Sequence, residues 1–176
     1  MKAVNPCGLK RAALINDLSC FGKCSLSVSM PILSSFGVET VPLPTAILST
    51  HTGGFTGFVV QDMTENMRLF AAHWKKLGVK FDAIITGYCC TVDAVITSVG
   101  SGNRIGYLAR LDGRVTLVQK ESVDMTVHGA GDVFTSALSG ERLSGQAPQT
   151  ALLRAADFCD SCIHETAKRQ PGHWYG

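Results

Sequence analysis

The chain has 176 residues, of which 45% are hydrophobic and 17% charged, and its formal net charge is +2. This size and composition are typical of one compact domain with a hydrophobic core, here predicted to span residues 1–176. The charges form no long run of one sign. The sequence therefore gives no electrostatic reason to expect nucleic acid or a membrane surface as a partner.

The start of the chain and the cysteines bear on where the protein works. Residues 1–12 include basic side chains but lack the apolar core of a secretory signal, and no apolar stretch approaches the ~20 residues that a membrane span needs. The chain contains 7 cysteines, an odd number that is scattered along the sequence, which favours reduced thiols over a disulfide framework. We therefore expect a cytoplasmic protein without a membrane segment.

The first half of the sequence alternates strand and helix patterns. Residues 12–15 predict a buried parallel strand with polar residues at its carboxyl end, and residues 25–36 predict a helix capped by Gly37. Pro31 would kink this helix or delay its start. Four further segments predict a strand, a glycine-rich loop, a helix and a strand, in that order: residues 38–43, 49–54, 65–77 and 81–87.

The next predicted strand, residues 94–99, breaks this alternation. Only residues 87–93 separate it from the strand before, whereas a parallel crossover needs about a dozen residues or more. Either the two strands pair as a hairpin, or a segment that relatives contain is absent from this chain.

The second half predicts one hairpin and two helices. Residues 104–110 and 115–120 flank an Asp-Gly turn and predict an antiparallel hairpin. A helix is predicted from about residue 133 to 143 and another over residues 149–167. Together with the first half, this order of elements indicates an α/β protein with a mostly parallel sheet. In the helix over residues 65–77, we expect Phe70 and Trp74 to lie in the core.

The motif that carries chemistry is Gly129-Ala130-Gly131-Asp132, which comes just before a predicted helix. Glycines let the backbone approach a ligand closely, and the free N–H groups at a helix start bind phosphate. An aspartate there is a natural base for a hydroxyl that attacks a terminal phosphate. Taken alone, the motif also fits a simple alternative in which Asp132 only caps the helix.

Three separated motifs that occur in the family's order, together with one further strand end, resemble the ribokinase-like kinases, and pyridoxal (vitamin B6) kinases most of all. His128-Gly129-Ala130-Gly131-Asp132-Val133-Phe134 is similar to their carboxyl-terminal signature. Pro44-Thr45-Ala46-Ile47-Leu48-Ser49-Thr50-His51-Thr52-Gly53 is similar to their loop against the pyridine ring. Asn16-Asp17-Leu18-Ser19, running on to Gly22, and Gly87-Tyr88 resemble two of their strand ends. The resemblance implies a three-layer α/β/α fold with a mostly parallel central sheet, here incomplete.

The resemblance also implies roles for individual residues. Asp132 would be the catalytic base, and the backbone of Gly129, Ala130 and Gly131 would form the anion hole. The B6 vitamer would be bound by five residues: Asp17, Ser19, Thr45, His51 and Tyr88. The implied reaction is ATP-dependent phosphorylation of the hydroxymethyl group of pyridoxal, pyridoxine or pyridoxamine, with magnesium as a cofactor and no metal ligand carried over. A hydroxymethylpyrimidine kinase of thiamine synthesis shares the architecture, and relatives of this type are commonly homodimers.

One departure from the family pattern coincides with the short connection noted above. Between blocks 12–90 and 93–168 the family normally has about a hundred more residues, with an Asp-Pro-Val-Met-Gly-Asp type strand end and an Asn-x-x-Glu type motif that organise magnesium and the nucleotide phosphates. Neither motif occurs in this sequence. The chain is therefore expected to be a poor kinase, or a remnant that only binds a vitamer or a protein partner. We expect its apolar faces near Ile84 and Val95 to be left exposed or to be covered by a new hairpin.

The pair Cys159 and Cys162 suggests a metal or redox site at first sight. The two cysteines lie within a helix pattern, and no second Cys or His pair stands at ligand spacing. We therefore interpret both as core thiols and expect no bound metal.

Overall fold

The computed structural model describes residues 8–87, 97–101, 104–111, 114–123 and 127–169. The chain divides into two compact units, Met1–Cys90 and Thr91–Gly176. Both are described in turn below. They combine helices with sheets, and the sheet of the first unit is mostly parallel. The predicted mixed α/β class is therefore confirmed.

The first unit is a four-stranded sheet with two helices. Its elements in chain order are β1 (Arg11–Phe21), α1 (Leu26–Ser35), β2 (Glu39–Thr50), β3 (Val60–Asp62), α2 (Thr64–Leu77) and β4 (Ala83–Thr86). The strand order is β3-β2-β1-β4, with β1 parallel to both β2 and β4 and with β3 antiparallel to β2. The central strand therefore has a parallel neighbour on each side.

Both β1 and β2 are longer than the sequence predicts. The strand β1 runs on through its polar residues to Phe21, and β2 includes the stretch before Thr50 that was predicted in part as loop. The reason is continued pairing, because β1 and β2 stay in register to the pair Phe21 and Thr50 after one irregularity between Asn16 and Leu18. Pairing with β3 at residues 46–48 supports β2 from its other side.

The helix ends follow the sequence closely, whereas the burial of α2 does not. Gly78 ends α2 in the left-handed conformation at φ 68°, as a glycine cap requires. The helix α1 is continuous from Leu26, so Pro31 does not delay its start. The prediction that Phe70 lies in the core is wrong, since 40% of it is exposed and no residue of α2 is fully buried. The apolar face of α2 rests on β2, and Trp74 contacts the ring of Phe81, with 5.8 Å between centroids.

The second unit is a three-stranded antiparallel sheet with two helices. Its elements are β5 (Thr97–Ser101), β6 (Arg104–Leu111), β7 (Arg114–Glu121), α3 (Ala130–Leu143) and α4 (Pro148–Arg169). The hairpin of β6 and β7 confirms the prediction for residues 104–120. Its core packs Tyr107 of β6 with Phe134 of α3 and with a row of small or aliphatic residues on α4: Ala151, Leu152, Ala155, Ala156, Cys159 and Ile163.

Among the described strands, β4 and β5 do not pair with each other as a hairpin. The strand β4 pairs with β1, and β5 pairs with β6 in the separate sheet. Among the strands that the structure describes, β4 therefore stands at the edge of its sheet, and its Ile84 is 66% exposed, as predicted. Val95, the second residue of that prediction, lies outside the described residues.

Gly87, directly after β4, lies against the side chain of Asn16 from β1. The Gly87 N–H donates to the carbonyl of Ile15 at 2.8 Å. A Cβ at residue 87 would stand only 2.1 Å from Asn16 Nδ2 and 2.2 Å from its Cγ. Asn16 is itself buried, so a Cβ at residue 87 would have to displace a packed side chain. Only glycine fits this position.

We expect Gly87→Ala to lower the free energy of unfolding by about 1–3 kcal/mol, the scale of forcing an extra carbon against a buried side chain, here that of Asn16. The measurement is chemical denaturation of both proteins. Thr86→Ala is the matched control, because Thr86 is exposed on the adjacent residue and its truncation should change stability by at most about 0.5 kcal/mol. Equal stability of Gly87→Ala and the unchanged chain would contradict the close approach to Asn16.

Candidate functional site

The carboxyl half of β1 is the natural place for a ligand in the first unit. The chain passes from β1 to β2 on one side and later returns to β4 on the other side of β1. Connections that leave neighbouring parallel strands in opposite directions open a crevice at the carboxyl ends of those strands. The residues of β1 that face this end are polar and yet buried: Asn16, Asp17 and Ser19.

Two of the predicted vitamer residues are in direct contact there. The hydroxyl of Ser19 donates to Asp17 Oδ2 at 3.0 Å, and the thiol of Cys24 donates to the Ser19 hydroxyl at 3.4 Å. The Asp17 N–H donates to Asn16 Oδ1 at 3.0 Å. The Asp17 carboxylate is only 6% exposed, so this chain of donors holds it in one orientation.

Thr45 lies on β2, the strand beside this part of β1. In the register of the two strands, Asn16 pairs with Pro44 and Leu18 pairs with Ile47, so β2 has one extra residue at this irregularity. Thr45 therefore lies beside Asp17. The Thr45 hydroxyl is buried and has no hydrogen-bond partner within the described part of the chain. A buried hydroxyl of this kind is suited to bind a ligand.

His51 follows directly after β2 and reaches the same edge of the sheet. Its N–H donates to the carbonyl of Phe21, the last residue of β1, at 3.1 Å. The imidazole Nδ1 accepts from the Gly53 N–H at 3.1 Å, and the ring meets Phe55 edge to face at a centroid distance of 4.9 Å. His51 is 4% exposed, and these contacts hold its ring in place at the end of β2. Tyr88, the fifth predicted residue, lies outside the described residues.

In the second unit, the glycine motif forms the start of α3. Gly129 precedes the helix in the left-handed conformation, at φ 81°, which glycine adopts without steric cost. The helix begins at Ala130, three residues earlier than predicted, so that Asp132 lies in its first turn. The interpretation of Asp132 as the capping residue is therefore wrong, because the position before the helix belongs to Gly129.

This helix start offers two kinds of chemistry. The N–H groups of the first turn precede the helical hydrogen bonds, the earliest of which in this region joins the Val133 N–H to the Gly129 carbonyl at 3.0 Å. With the helix dipole, such N–H groups attract an anion. A Cβ on Gly131 would meet nothing within 4 Å, so the space in front of the loop is open. The half-buried Asp132 adds a carboxylate that can accept a proton.

The cysteine pair of α4 has the environment of structural thiols. Cys159 is fully buried in the core of the second unit, and Cys162 is half-buried. Burial raises the pKa of the Cys159 thiol to about 11. Within the described ranges, no three His, Cys, Asp or Glu side chains are grouped so that they could hold a metal ion. No helix among the described residues is both long and apolar enough to cross a membrane.

Sequence reasoning missed two contacts, one in each unit. Cys24 is linked to Asp17 through Ser19, but nothing in the spacing of Cys24 from β1 signals that contact. The thiol of Cys159 donates to the carbonyl of Ala130, 29 residues away along the chain. The alternation of β1 does carry a signal for Ser19, because Asp17 and Ser19 are two residues apart on one strand.

Known structures share the architecture described above. A protein of Bacteroides thetaiotaomicron described as a phosphomethylpyrimidine kinase matches with a TM-score of 0.80 and 26% identity, over 94% of this chain and 88% of that chain. The chain has the ribokinase-like fold. The pyridoxal kinase of Lactobacillus plantarum also matches, with a TM-score of 0.75 and 19% identity, over 92% of this chain and 90% of that chain.

A third structural neighbour is the pyridoxal kinase of Staphylococcus aureus in complex with AMP-PCP. Its TM-score is 0.71 at 13% identity, over 89% of this chain and 88% of that chain. No family model and no curated protein sequence matches the chain. Because the structural neighbours are kinases, they support a phosphotransferase of the ribokinase-like family.

The contact between Ser19 and Asp17 can be tested by removing the hydroxyl. We expect Ser19→Ala to destabilise the protein by about 1–3 kcal/mol, because a buried carboxylate would lose a donor that water cannot replace. Chemical denaturation measures the change. Ser35→Ala serves as the control, since Ser35 is exposed and its hydroxyl only donates to the Ile32 carbonyl. If both variants lost the same small stability, the Ser19 hydroxyl would not be holding Asp17.

Proposed function

We propose that this chain carries the site of a pyridoxal kinase, which transfers the terminal phosphate of ATP to the hydroxymethyl group of a B6 vitamer. The observation that carries the proposal is the start of α3, where the glycine motif leads into a helix with Asp132 in its first turn. A helix start of this kind joins an anion-binding backbone to a carboxylate that can act as a base. The kinase neighbours support the same reaction class.

In this proposal, Asp132 accepts the proton of the substrate hydroxyl as the oxygen attacks the terminal phosphorus. The N–H groups of Ala130 and Gly131 stabilise the negative charge on the transferring phosphoryl group. Phosphoryl transfer demands little beyond positioning and charge stabilisation, so these groups supply the chemistry that the acceptor side needs. ADP leaves with the electron pair of the broken P–O bond.

The first unit would bind the vitamer ring. Pyridoxal presents a ring nitrogen, a phenolic oxygen and an aldehyde, which are polar groups on a flat aromatic ring. The buried Asp17 and Ser19, the hydroxyl of Thr45 and the imidazole of His51 offer matching donors and acceptors, with Tyr88 assigned by the family resemblance alone. A second crystal form of the Bacteroides thetaiotaomicron protein, at 24% identity, contains pyridoxal, which supports this choice.

A hydroxymethylpyrimidine kinase is the second candidate. The description of the Bacteroides thetaiotaomicron protein as a phosphomethylpyrimidine kinase favours it. Both substrates are nitrogen heterocycles with a hydroxymethyl group, so the start of α3 would serve either one. The residues around Thr45 and His51, which resemble the pyridoxal kinase loop, are the reason to place the B6 vitamer first.

We further propose that the chain lacks an internal segment between residues 90 and 93 and therefore turns over slowly. The absence of the two family motifs for magnesium and nucleotide phosphates supports this view, as does Ile84, which is exposed on the edge strand β4. Among the described residues, no three His, Cys, Asp or Glu side chains lie close enough together to hold a metal ion by themselves. Magnesium would enter with ATP, because this ion is usually held by nucleotide phosphates and few carboxylates. We also propose that the protein acts in the cytoplasm as a homodimer.

Asp132→Asn tests the catalytic assignment. We expect turnover of pyridoxal to fall at least about a hundredfold, because the amide cannot accept the hydroxyl proton. The affinity for AMP-PCP, measured by calorimetry, should change by less than about twofold, because the amide is isosteric with the carboxylate. ADP release in a coupled assay reports the rate. The comparison is made in the unchanged chain and in a version with a relative's segment inserted between Cys90 and Val92.

Asp157→Asn is the control, because it makes the same chemical change at a carboxylate that is 62% exposed on α4. Its rate should match that of the unchanged chain. The segment-bearing version should be faster and should unfold more cooperatively than the chain alone. A rate unaffected by Asp132→Asn in that version would overturn the assignment of the base, and equal activity with and without the segment would overturn the proposal of a shortened chain.

A further inference from the structure

A buried thiol on α4 contacts Ala130, the first residue of α3 and a member of the proposed anion hole. Cys159 Sγ donates a hydrogen bond to the carbonyl oxygen of Ala130 at 3.3 Å. Cys159 is 0% exposed, and it belongs to the same core cluster as Tyr107 and Phe134, whose rings lie 4.7 Å apart. This contact joins two helices at the point where α3 begins.

The bonded carbonyl controls the direction of an anion-facing N–H. The carbonyl of Ala130 and the N–H of Gly131 belong to one planar trans peptide group, so they point in opposite directions. A donor that holds the carbonyl toward the core therefore turns the Gly131 N–H away from it. An added Cβ at Gly131 would touch nothing within 4 Å, so there is open space beside this residue.

This peptide group needs such a restraint. Its rotation changes ψ of Ala130 and φ of Gly131, and glycine allows φ values that other residues disfavour. Gly129, the residue before Ala130, is itself in the left-handed region, at φ 81°. A helix start with two glycines gives close access to an anion, but the ends of helices fray, and rigidity is what makes a preorganised donor effective in catalysis.

Cys159 keeps its proton under ordinary conditions. Burial raises the pKa of its thiol to about 11, so the S–H group is intact at neutral pH and remains a donor. The thiolate form would repel the Ala130 carbonyl and would also be poorly solvated in this core. The chemistry of the group therefore suits a permanent donor rather than a nucleophile.

We propose that Cys159 is a positioning residue of the anion hole, which fixes the peptide group between Ala130 and Gly131 so that the Gly131 N–H faces the transferring phosphate. The inference rests on the proposed function, because it gives this N–H a phosphate to bind. It adds a residue that no glycine motif contains and that acts only through the backbone of another residue.

The test uses four variants of the full chain: Cys159→Ala, Cys159→Val, Cys159→Ser and Ile163→Val. Alanine and valine remove the donor, and valine also keeps the volume filled, so that a folded donor-free protein is at hand if the alanine variant unfolds. Serine restores a donor. Ile163→Val removes one methylene from the same core without touching Ala130, and it controls for stability alone.

Two readouts follow the Gly131 amide by nitrogen-15 NMR. We expect its order parameter to fall from about 0.85 to below about 0.6 in the alanine and valine variants and to stay high with serine and in Ile163→Val. Titration with inorganic phosphate should show about fivefold weaker binding at Gly131 when the donor is lost, the scale of one hydrogen bond.

An order parameter that stays high in both donor-free variants would overturn the positioning role. So would an equal loss of order in Ile163→Val, since the effect would then come from core stability. If the unchanged chain bound no phosphate at Gly131, the proposed function would fail instead, whereas the order parameters would still decide whether Cys159 holds the peptide group.

Discussion

The parallel pairing of β1 on both of its sides is the constraint on which the first unit depends. A strand enclosed in this way must be apolar where helices cover it, and the run from Ala12 to Leu14 is buried throughout. Beyond that run, the same pairing carries Asn16, Asp17 and Ser19 into the sheet, where each must find a hydrogen-bond partner. The polar cluster at the carboxyl half of β1 is the result, and it is there that we place the vitamer.

In the second unit, the main constraint is on the glycine-containing start of α3, whose backbone must be held in one conformation. Gly129 and Gly131 give the start of α3 its open access, and the packing of α3 on α4 supplies the restraint. The buried side of this helix pair is made of small residues such as Ala155 and Ala156, which bring the helices close enough for the Cys159 thiol to reach the Ala130 carbonyl. Under the proposed function, this contact would couple the packing of the core to the binding of phosphate.

Features set by local chemistry could be predicted from the sequence, and features set by long-range packing could not. The glycine at residue 78 ends its helix because only glycine enters the left-handed region at no cost. The full length of β2 depends on its two neighbours, and no local pattern reports a neighbour. Phe70 has helical spacing, but its burial depends on how much sheet lies beneath α2, which the spacing does not specify. The motif that contains Asp132 predicts phosphoryl-transfer chemistry from the sequence alone. The hydrogen bond from Cys159 to Ala130 could be found only from the folded structure.

The exposed edge of β4 links the structure to the question of activity. Ile84 faces solvent on a strand with no outer neighbour among the described residues, which is unusual for an aliphatic residue in a mostly parallel sheet. A longer chain with further strands would cover it. The proposal of a shortened chain rests on this exposed edge and on the absence of the two magnesium motifs from the sequence.

The central claim is that this framework directs the terminal phosphate of ATP to pyridoxal. The most direct measurement is mass analysis of the products after equal amounts of pyridoxal and hydroxymethylpyrimidine are incubated with ATP and magnesium, for the chain alone and for the version with the inserted segment. The account predicts pyridoxal 5'-phosphate as the main product of both, formed more slowly by the chain alone. Phosphorylated pyrimidine as the main product, or no pyridoxal 5'-phosphate from either protein, would contradict it.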